Sequence, residues 1–185
     1  MADKYNKVEP KVSLGILISL AAFIVVALTL ILIALPSNRE RIYTSYEATA
    51  NLDYFTEDHP YYEINASKVE KYINRGDTFL LLISSSDCTS CQSHIGTIQR
   101  YYESTGADAL LDQIYYYTPK DDAEGLNRLM ELSPDILDLT PQLILFVDGE
   151  VVLSLDANLS TTEQTKNTNV RSFFEDAIAL IEESE

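Results

Sequence analysis

The chain has 185 residues, of which 46% are hydrophobic, and it carries a formal net charge of −16 at pH 7. This length and this apolar fraction suit one globular domain with an additional segment. A surface this acidic excludes nucleic acid and anionic lipid headgroups as partners, because neither would find a basic patch to bind.

The first predicted element is a transmembrane helix, Val12–Leu35, a run of 24 residues without a charge. At about 1.5 Å per residue, such a helix spans a hydrocarbon layer of roughly 30 Å. A cleaved signal peptide is the alternative, but its apolar region is usually about 7 to 15 residues long and ends at small residues. Three lysines precede the run and two arginines follow it. This flank predicts a single-pass protein in the cell membrane, with a short cytoplasmic tail over 1–11 and an extracytoplasmic C-terminal domain.

The next stretch, 36–60, mixes charged, threonine and tyrosine residues without a clean period, so we predict a spacer with room for a short helix. We assign no functional role to His59, which lies in this stretch. The folded domain is predicted over 61–185. It begins with a short strand at 61–64, followed by a helix that Asn65 or Ser67 caps and that ends at Gly76.

Both cysteines of the chain follow in the next pair of elements. Thr78–Ile83 is apolar and short enough for a buried strand, and apolar residues recur at helical spacing from Ile95 to Tyr102. Cys88 and Cys91, spaced Cys-x-x-Cys, therefore lie where a strand meets a helix. The free N–H groups and the helix dipole favour the Cys88 thiolate there, and Cys91 can attack a mixed disulfide formed at Cys88.

The remaining pattern continues to alternate between strands and helices. We predict a strand over 111–117, a helix capped by Asp121 or Asp122, and two strands, 142–147 and 150–155, joined by the turn Asp148-Gly149. Residues 158–169 are predicted to be a loop, and 170–181 a closing helix.

Residues 61–185 resemble the thioredoxin superfamily on three features. These are Cys88-Thr89-Ser90-Cys91 after a strand, Thr140-Pro141 immediately before a strand, and the Asp148-Gly149 hairpin before a terminal helix. The resemblance implies an α/β fold, a thioredoxin-like mixed sheet flanked by helices, here preceded by one N-terminal transmembrane helix. It implies that Pro141 is cis and packs against the cysteine pair, and that Thr140 offers backbone hydrogen bonds to a bound peptide. It implies neither a cofactor nor a metal.

Membrane anchoring together with this layout is similar to the extracytoplasmic thioredoxin-like proteins of Gram-positive bacteria, including bacteriocin transport accessory proteins. That resemblance implies a thiol-disulfide oxidoreductase that acts on exported proteins or peptides, and the location outside the cytoplasm favours an oxidase or isomerase over a reductase. Cys88 and Cys91 would be the catalytic residues, and Thr140 and Pro141 would bind the substrate. A redox partner in the membrane is a further expected partner.

Two departures from the family pattern keep other interpretations open. Asp87 stands where an aromatic residue commonly precedes the first cysteine, and Leu82 stands where many thioredoxins place a buried carboxylate. Both favour a catalytically weak binding module that is accessory to an export system, with Cys88 and Cys91 as a stabilising bridge. A metal site formed by the two cysteines and His94 is the third alternative, although packing is the more ordinary role for His94.

Overall fold

The computed structural model describes residues 13–34, 36–49, 54–156 and 162–184, which belong to two compact units. The first unit contains helix α1, Leu14–Ala34, whose large apolar side chains between Ile16 and Leu30 are exposed. No helix within the described ranges combines the length and the hydropathy that crossing a membrane requires. The predicted span Val12–Leu35 is therefore not shown. Its two end residues and the predicted tail, 1–11, lie outside the described residues.

The second unit, Ser37–Glu185, is an α/β domain built on a five-stranded sheet with the strand order β1-β3-β2-β4-β5. Strands β1, β2 and β3 are parallel to one another, whereas β4 runs antiparallel to β2, and β5 antiparallel to β4. The strands are β1 (Tyr61–Glu63), β2 (Phe79–Ile83), β3 (Ile114–Tyr117), β4 (Gln142–Val147) and β5 (Glu150–Asp156). The helices are α2 (Asn38–Tyr46), α3 (Ala66–Arg75), α4 (Thr89–Ser104), α5 (Ala123–Leu132) and α6 (Glu163–Ser184), with a 3-10 turn at Ala107–Ala109. This is the thioredoxin-like arrangement that the sequence resemblance implies.

The sheet separates two hydrophobic cores because successive side chains of a strand point to opposite faces. Leu80 and Leu82 of β2 face the core that also contains Cys91 and residues of α2, α4 and α6. Leu81 and Ile83 face the core shared with α3 and α5. All five residues of β2 are buried, as expected for a central strand covered by helices on both faces.

The turns form where the sequence predicts them. Asn65 caps α3 by accepting a hydrogen bond from the Lys68 N–H, and Gly76 ends the helix with a φ of 73°. The hairpin Asp148-Gly149 joins β4 to β5 and contacts the end of α3. Gly149, at a φ of 79°, lies so close to the Ile73 carbonyl that any Cβ would collide with the oxygen.

In their described parts, 36–49 and 54–60, the residues predicted to form a spacer instead pack into the domain. Ser37 and Glu40 form a capping box at the start of α2, and Ile42 and Tyr46 of that helix are buried in the domain core together with Phe55. The stretch has no clean period because it contributes isolated side chains to a core that later elements complete. The domain therefore begins at Ser37 instead of Tyr61.

Side chains from this same stretch bind the backbone of β1. Asn38 accepts a hydrogen bond from the Glu63 N–H at 2.6 Å and donates one to the Glu63 carbonyl at 3.2 Å. His59, fully buried, accepts one from the Tyr61 N–H through Nδ1 and lies 3.0 Å from the Arg39 carbonyl through Nε2. Its neutral tautomer therefore has the proton on Nε2.

Helix α6 begins earlier than predicted. Residues 163–169, predicted to be part of a loop, are helical, while 157–161 lie outside the described residues. Thr162 caps the helix by accepting a hydrogen bond from the Thr165 N–H. The first turns contain mostly polar residues, so hydropathy did not indicate them. Lys166 in those turns is nevertheless buried.

Candidate active site

The two cysteines lie at the junction of β2 and α4, as the sequence predicts. After β2 ends at Ile83, a four-residue loop leads to Cys88, which is the N-cap of α4. Cys88 and Cys91 form a disulfide with their Cα atoms 5.1 Å apart. The pair thus lies in the first turn of a helix whose free N–H groups point towards it.

The two sulfur atoms differ in exposure and in their surroundings. Cys88 is half-buried, whereas Cys91 is only 1% exposed. The Cys91 N–H donates a hydrogen bond to the Cys88 Sγ at 3.1 Å. Such a bond favours the thiolate over the thiol when the disulfide is open, as does the N-terminal end of the helix dipole. Only Cys88 can therefore be reached by a macromolecular substrate, and it is the better nucleophile of the two.

Thr140 and Pro141 lie beside the cysteine pair. Strand β4 pairs antiparallel with β2, with Gln142 opposite Ile83, so the residues before β4 meet the residues after β2. The Thr140–Pro141 peptide bond is cis, as the resemblance implies, and Pro141 is buried. The Thr140 carbonyl oxygen is 3.5 Å from the Cys88 Sγ. The structure thus brings together all four residues that the sequence singled out.

An open groove of about 400 Å³ begins at Cys88 and Thr140. Exposed polar groups line its rim, and the buried Leu126 of α5 contributes an apolar wall. The remaining lining residues are Ser85, Asp87, Pro119, Lys120, Ala123, Asn127 and Asp138. A groove with this mixture of side chains suits an extended peptide segment better than a small apolar ligand.

The carboxylate of Asp87, next to Cys88 in the chain, would disfavour a thiolate there, but it has a cationic partner. It forms an ion pair with Lys120, which follows β3. The hydrogen bond to Asp87 and the negative charge of that carboxylate raise the pKa of Lys120. Since Lys120 balances the charge of Asp87, the carboxylate repels a neighbouring thiolate less than the sequence alone implies. Sequence reasoning missed Lys120 because 33 positions separate it from Asp87.

Leu82 occupies the core face behind the disulfide and is completely buried. The next residue on that face, Ser84, is part of a buried hydroxyl cluster that sequence reasoning also missed. The Tyr46 hydroxyl lies 2.9 Å from the Ser84 Oγ and 3.1 Å from the Tyr116 hydroxyl. Burial raises the pKa of Tyr46 and Tyr116, so both phenols stay neutral. No sequence signal pairs residues so far apart in the chain.

The alternative of a metal site receives no support. Within the described parts of the chain, no group of three or more histidine, cysteine or acidic residues is arranged to hold an ion. His94 is 2% exposed, and it packs inside the domain, on α4. Both cysteine sulfurs are engaged with each other.

Comparisons with known proteins give a limited result. No protein-family model matches the chain. No curated protein matches it either. Among solved structures, one described as "Crystal structure of J-Trx1 fragment of ERdj5" is similar, with 17% sequence identity and a TM-score of 0.46. The match covers 66% of this chain and 54% of that one, so the chain corresponds to about half of that structure. The thioredoxin-like description therefore rests on the strand order and on the placement of Cys88, Cys91 and Pro141.

Proposed function

We propose that this protein is a thiol-disulfide oxidoreductase that acts on exported proteins or peptides. The observation that carries the proposal is the unequal exposure of the two sulfurs at a helix N-terminus beside a groove. Cys88 is reachable and has a hydrogen-bond donor, while Cys91 is buried next to it. A bridge whose role is only structural would gain little, because closing so small a loop restrains few unfolded conformations.

Catalysis would proceed through a mixed disulfide. When the pair is reduced, the Cys88 thiolate attacks one sulfur of a substrate disulfide and the other substrate sulfur leaves as a thiolate. The Cys91 thiolate then attacks the Cys88 Sγ, forming the Cys88–Cys91 disulfide and releasing the second substrate thiolate. The reverse sequence, beginning with a substrate thiolate and the oxidised pair, introduces a disulfide into the substrate. The pair and the substrate exchange two electrons, so no further oxidant takes part in one turnover.

The substrate chain would lie in the groove beside Thr140 and Pro141. The backbone of Thr140, just before Pro141 and strand β4, would hydrogen-bond to an extended segment, and the groove extends from Cys88 towards Leu126. Such binding depends on the backbone of the substrate more than on its side chains, which suits an enzyme with several substrates. Its acidic surface favours neutral or basic segments as clients.

The membrane location is a further part of the proposal. The uncharged run Val12–Leu35 would anchor the chain once, with residues 1–11 in the cytoplasm and the domain outside. Outside the cytoplasm, oxidation or isomerisation is favoured over reduction, because a single helix supplies no electrons across the membrane. Fractionating cells that express the full chain and a chain lacking 1–36 tests the anchor. Recovery of the full chain in the soluble fraction would exclude it.

The catalytic proposal is tested by trapping. Cys91→Ser should accumulate a mixed disulfide with substrate proteins that a reductant releases, whereas Cys88→Ser should trap none and should not exchange with glutathione. In the wild type, equilibration with glutathione buffers should give a reduction potential above about −200 mV, as for other disulfide donors and isomerases. A value near or below about −270 mV would instead indicate a reductase.

A binding module accessory to an export system is the second candidate. The apolar Leu82 favours it, since the core behind the disulfide there offers no carboxylate to move protons. Bacteriocin-like peptides would then be bound cargo and not redox substrates. If the wild-type pair stays oxidised for hours in strong reductant, this candidate replaces the oxidoreductase.

A further inference from the structure

His94 has a buried atom that lacks a partner. Its side chain is on α4, one turn after Cys91, and the two residues are 2% and 1% exposed. Within the described ranges, His94 Nε2 is the buried side-chain nitrogen or oxygen that makes no hydrogen bond. Leaving such an atom unpaired in a protein interior is unfavourable, so its presence requires an explanation.

The position of the ring follows from its other nitrogen. Nδ1 lies 2.7 Å from the Ser90 carbonyl oxygen, so Nδ1 carries the proton and donates it. The Ser93 Oγ donates to the same carbonyl and is 3.1 Å from Nδ1. This hydrogen bond orients the imidazole towards the N-terminal end of α4. Cys91, three residues before His94, lies in that direction on the helix. The neutral ring therefore has a buried lone pair on Nε2, on the same helix as Cys91 and about one turn from it.

The charged groups that face His94 come from α6. The Lys166 Nζ donates to the Ser93 carbonyl at 2.8 Å and forms an ion pair with Glu163 at 2.7 Å. Burial lowers the pKa of His94 below its usual 6.5, and the charge of Lys166 acts in the same direction. The hydrogen bond to Ser90 and the charge of Glu163 oppose the shift without reversing it. At neutral pH the imidazole is thus an empty proton acceptor.

We infer that His94 accepts the thiol proton of Cys91 when the pair is reduced; this rests on the proposed exchange activity. Opening the disulfide creates a buried S–H group at Cys91 one turn from a buried acceptor. During resolution the Cys91 proton moves to Nε2, and the Cys91 thiolate attacks the Cys88 Sγ in the mixed disulfide. The substrate thiolate leaves and takes up a proton, supplied by the imidazolium or by water. In the reverse direction, the imidazolium returns the proton to Cys91 as its thiolate leaves.

Among the described residues on the core side of β2, no other group is suited to this role. Leu82 is apolar there, and the Tyr46, Ser84 and Tyr116 hydroxyls already bond to one another. The phenols of Tyr46 and Tyr116 also stay protonated, since burial raises their pKa values, so neither supplies a phenolate to accept a proton. An imidazole that burial keeps neutral has an unprotonated nitrogen near neutral pH and can act as a proton acceptor.

The test follows the two thiols separately with 5,5′-dithiobis(2-nitrobenzoate) and the reduced full-length chain. Attack by Cys88 releases one thionitrobenzoate in a bimolecular phase, and attack by Cys91 on the mixed disulfide releases the second in a unimolecular phase. His94→Leu and His94→Gln should each slow the second phase at pH 7 by at least about 100-fold, at the low end of general-base effects. The first phase should keep its rate. His59→Gln, which removes the other buried imidazole, should change neither phase.

The outcomes separate this inference from the proposed function. A second phase of normal rate in both His94 variants overturns the role of His94 while leaving the exchange activity intact. Restoration of the rate by glutamine overturns it as well, because an amide can pack and hydrogen-bond but cannot take up a proton. If the wild type releases no second equivalent, the oxidoreductase proposal itself fails, and the role of His94 with it.

A measurement on the wild type keeps the inference falsifiable if the variants fold poorly. The ¹⁵N resonance of His94 Nε2 should show a free lone pair in the oxidised protein and a hydrogen-bonded acceptor in the reduced protein. Identical resonances in the two states overturn the inference. The rate of the second phase should also fall as the pH drops through the His94 pKa, because a protonated ring cannot accept.

Discussion

Phe55 offers a direct test of whether residues 36–60 belong to the folded domain. Its ring is 1% exposed and lies against four aromatic rings: Tyr43 at 5.5 Å, His59 at 5.2 Å, Tyr46 at 5.8 Å and Tyr61 at 6.2 Å between centroids. Phe55→Ala removes these contacts and leaves a cavity that the surrounding rings cannot fill. We expect the free energy of unfolding to fall by about 3–5 kcal/mol, a large part of the roughly 5–15 kcal/mol that stabilises a domain of this size.

The adjacent residue provides the matched control. Tyr54 is 38% exposed and contacts the Arg100 guanidinium, with a cation–π distance of 4.5 Å. An exposed cation–π pair contributes about 0.5–1 kcal/mol, so Tyr54→Ala should cost no more than that. Urea denaturation of the fragment 37–185, followed by circular dichroism, measures both variants. If Phe55→Ala and Tyr54→Ala unfold at the same urea concentration, the packing of this stretch on the domain is refuted.

Two further predictions concern the hairpin and a buried histidine. Gly149→Ala should lower the free energy of unfolding by at least about 2 kcal/mol more than Gly106→Ala in the same urea assay. Both glycines have a positive φ, but only at Gly149 would an added Cβ collide with a carbonyl oxygen. Equal losses in the two variants would contradict this reasoning. Burial lowers the pKa of His59, so the folded state binds fewer protons than the unfolded state. Stability should be full above about pH 6.5 and decline as the pH falls towards the lowered pKa, with His59→Gln flattening the profile in thermal unfolding at a series of pH values. An unchanged slope in that variant would assign the decline to other groups.

The parts of the fold that the sequence predicts are those with a local cause. The strand before the cysteines is a continuous apolar run. Gly76 ends a helix because glycine adopts a positive φ without steric cost. The two residues Asp148-Gly149 are by themselves sufficient to specify a tight turn. The cis bond at Pro141 followed from resemblance and not from any local pattern. These elements place the four site residues together.

The parts that the sequence did not predict depend on contacts between distant residues. Phe55 and Tyr46 look like isolated aromatic residues until β1 and β3 provide the surface they cover. The partner of Asp87 becomes visible only when the loop after β3 meets the loop after β2. Similarly, the environment of His94 depends on Lys166, in a helix whose first turns read as a polar loop.

The hydrogen bonds that Asn38 and His59 make to β1 have a consequence for how this protein meets other chains. β1 is an edge strand, and an exposed edge strand is a template for pairing with another polypeptide. Here the outward N–H groups of Tyr61 and Glu63, and the Glu63 carbonyl, are already taken by side chains. An incoming strand would find these three groups of the β1 edge already occupied. If the proposed function holds, a client bound at the cysteine groove would not be incorporated into the sheet at β1.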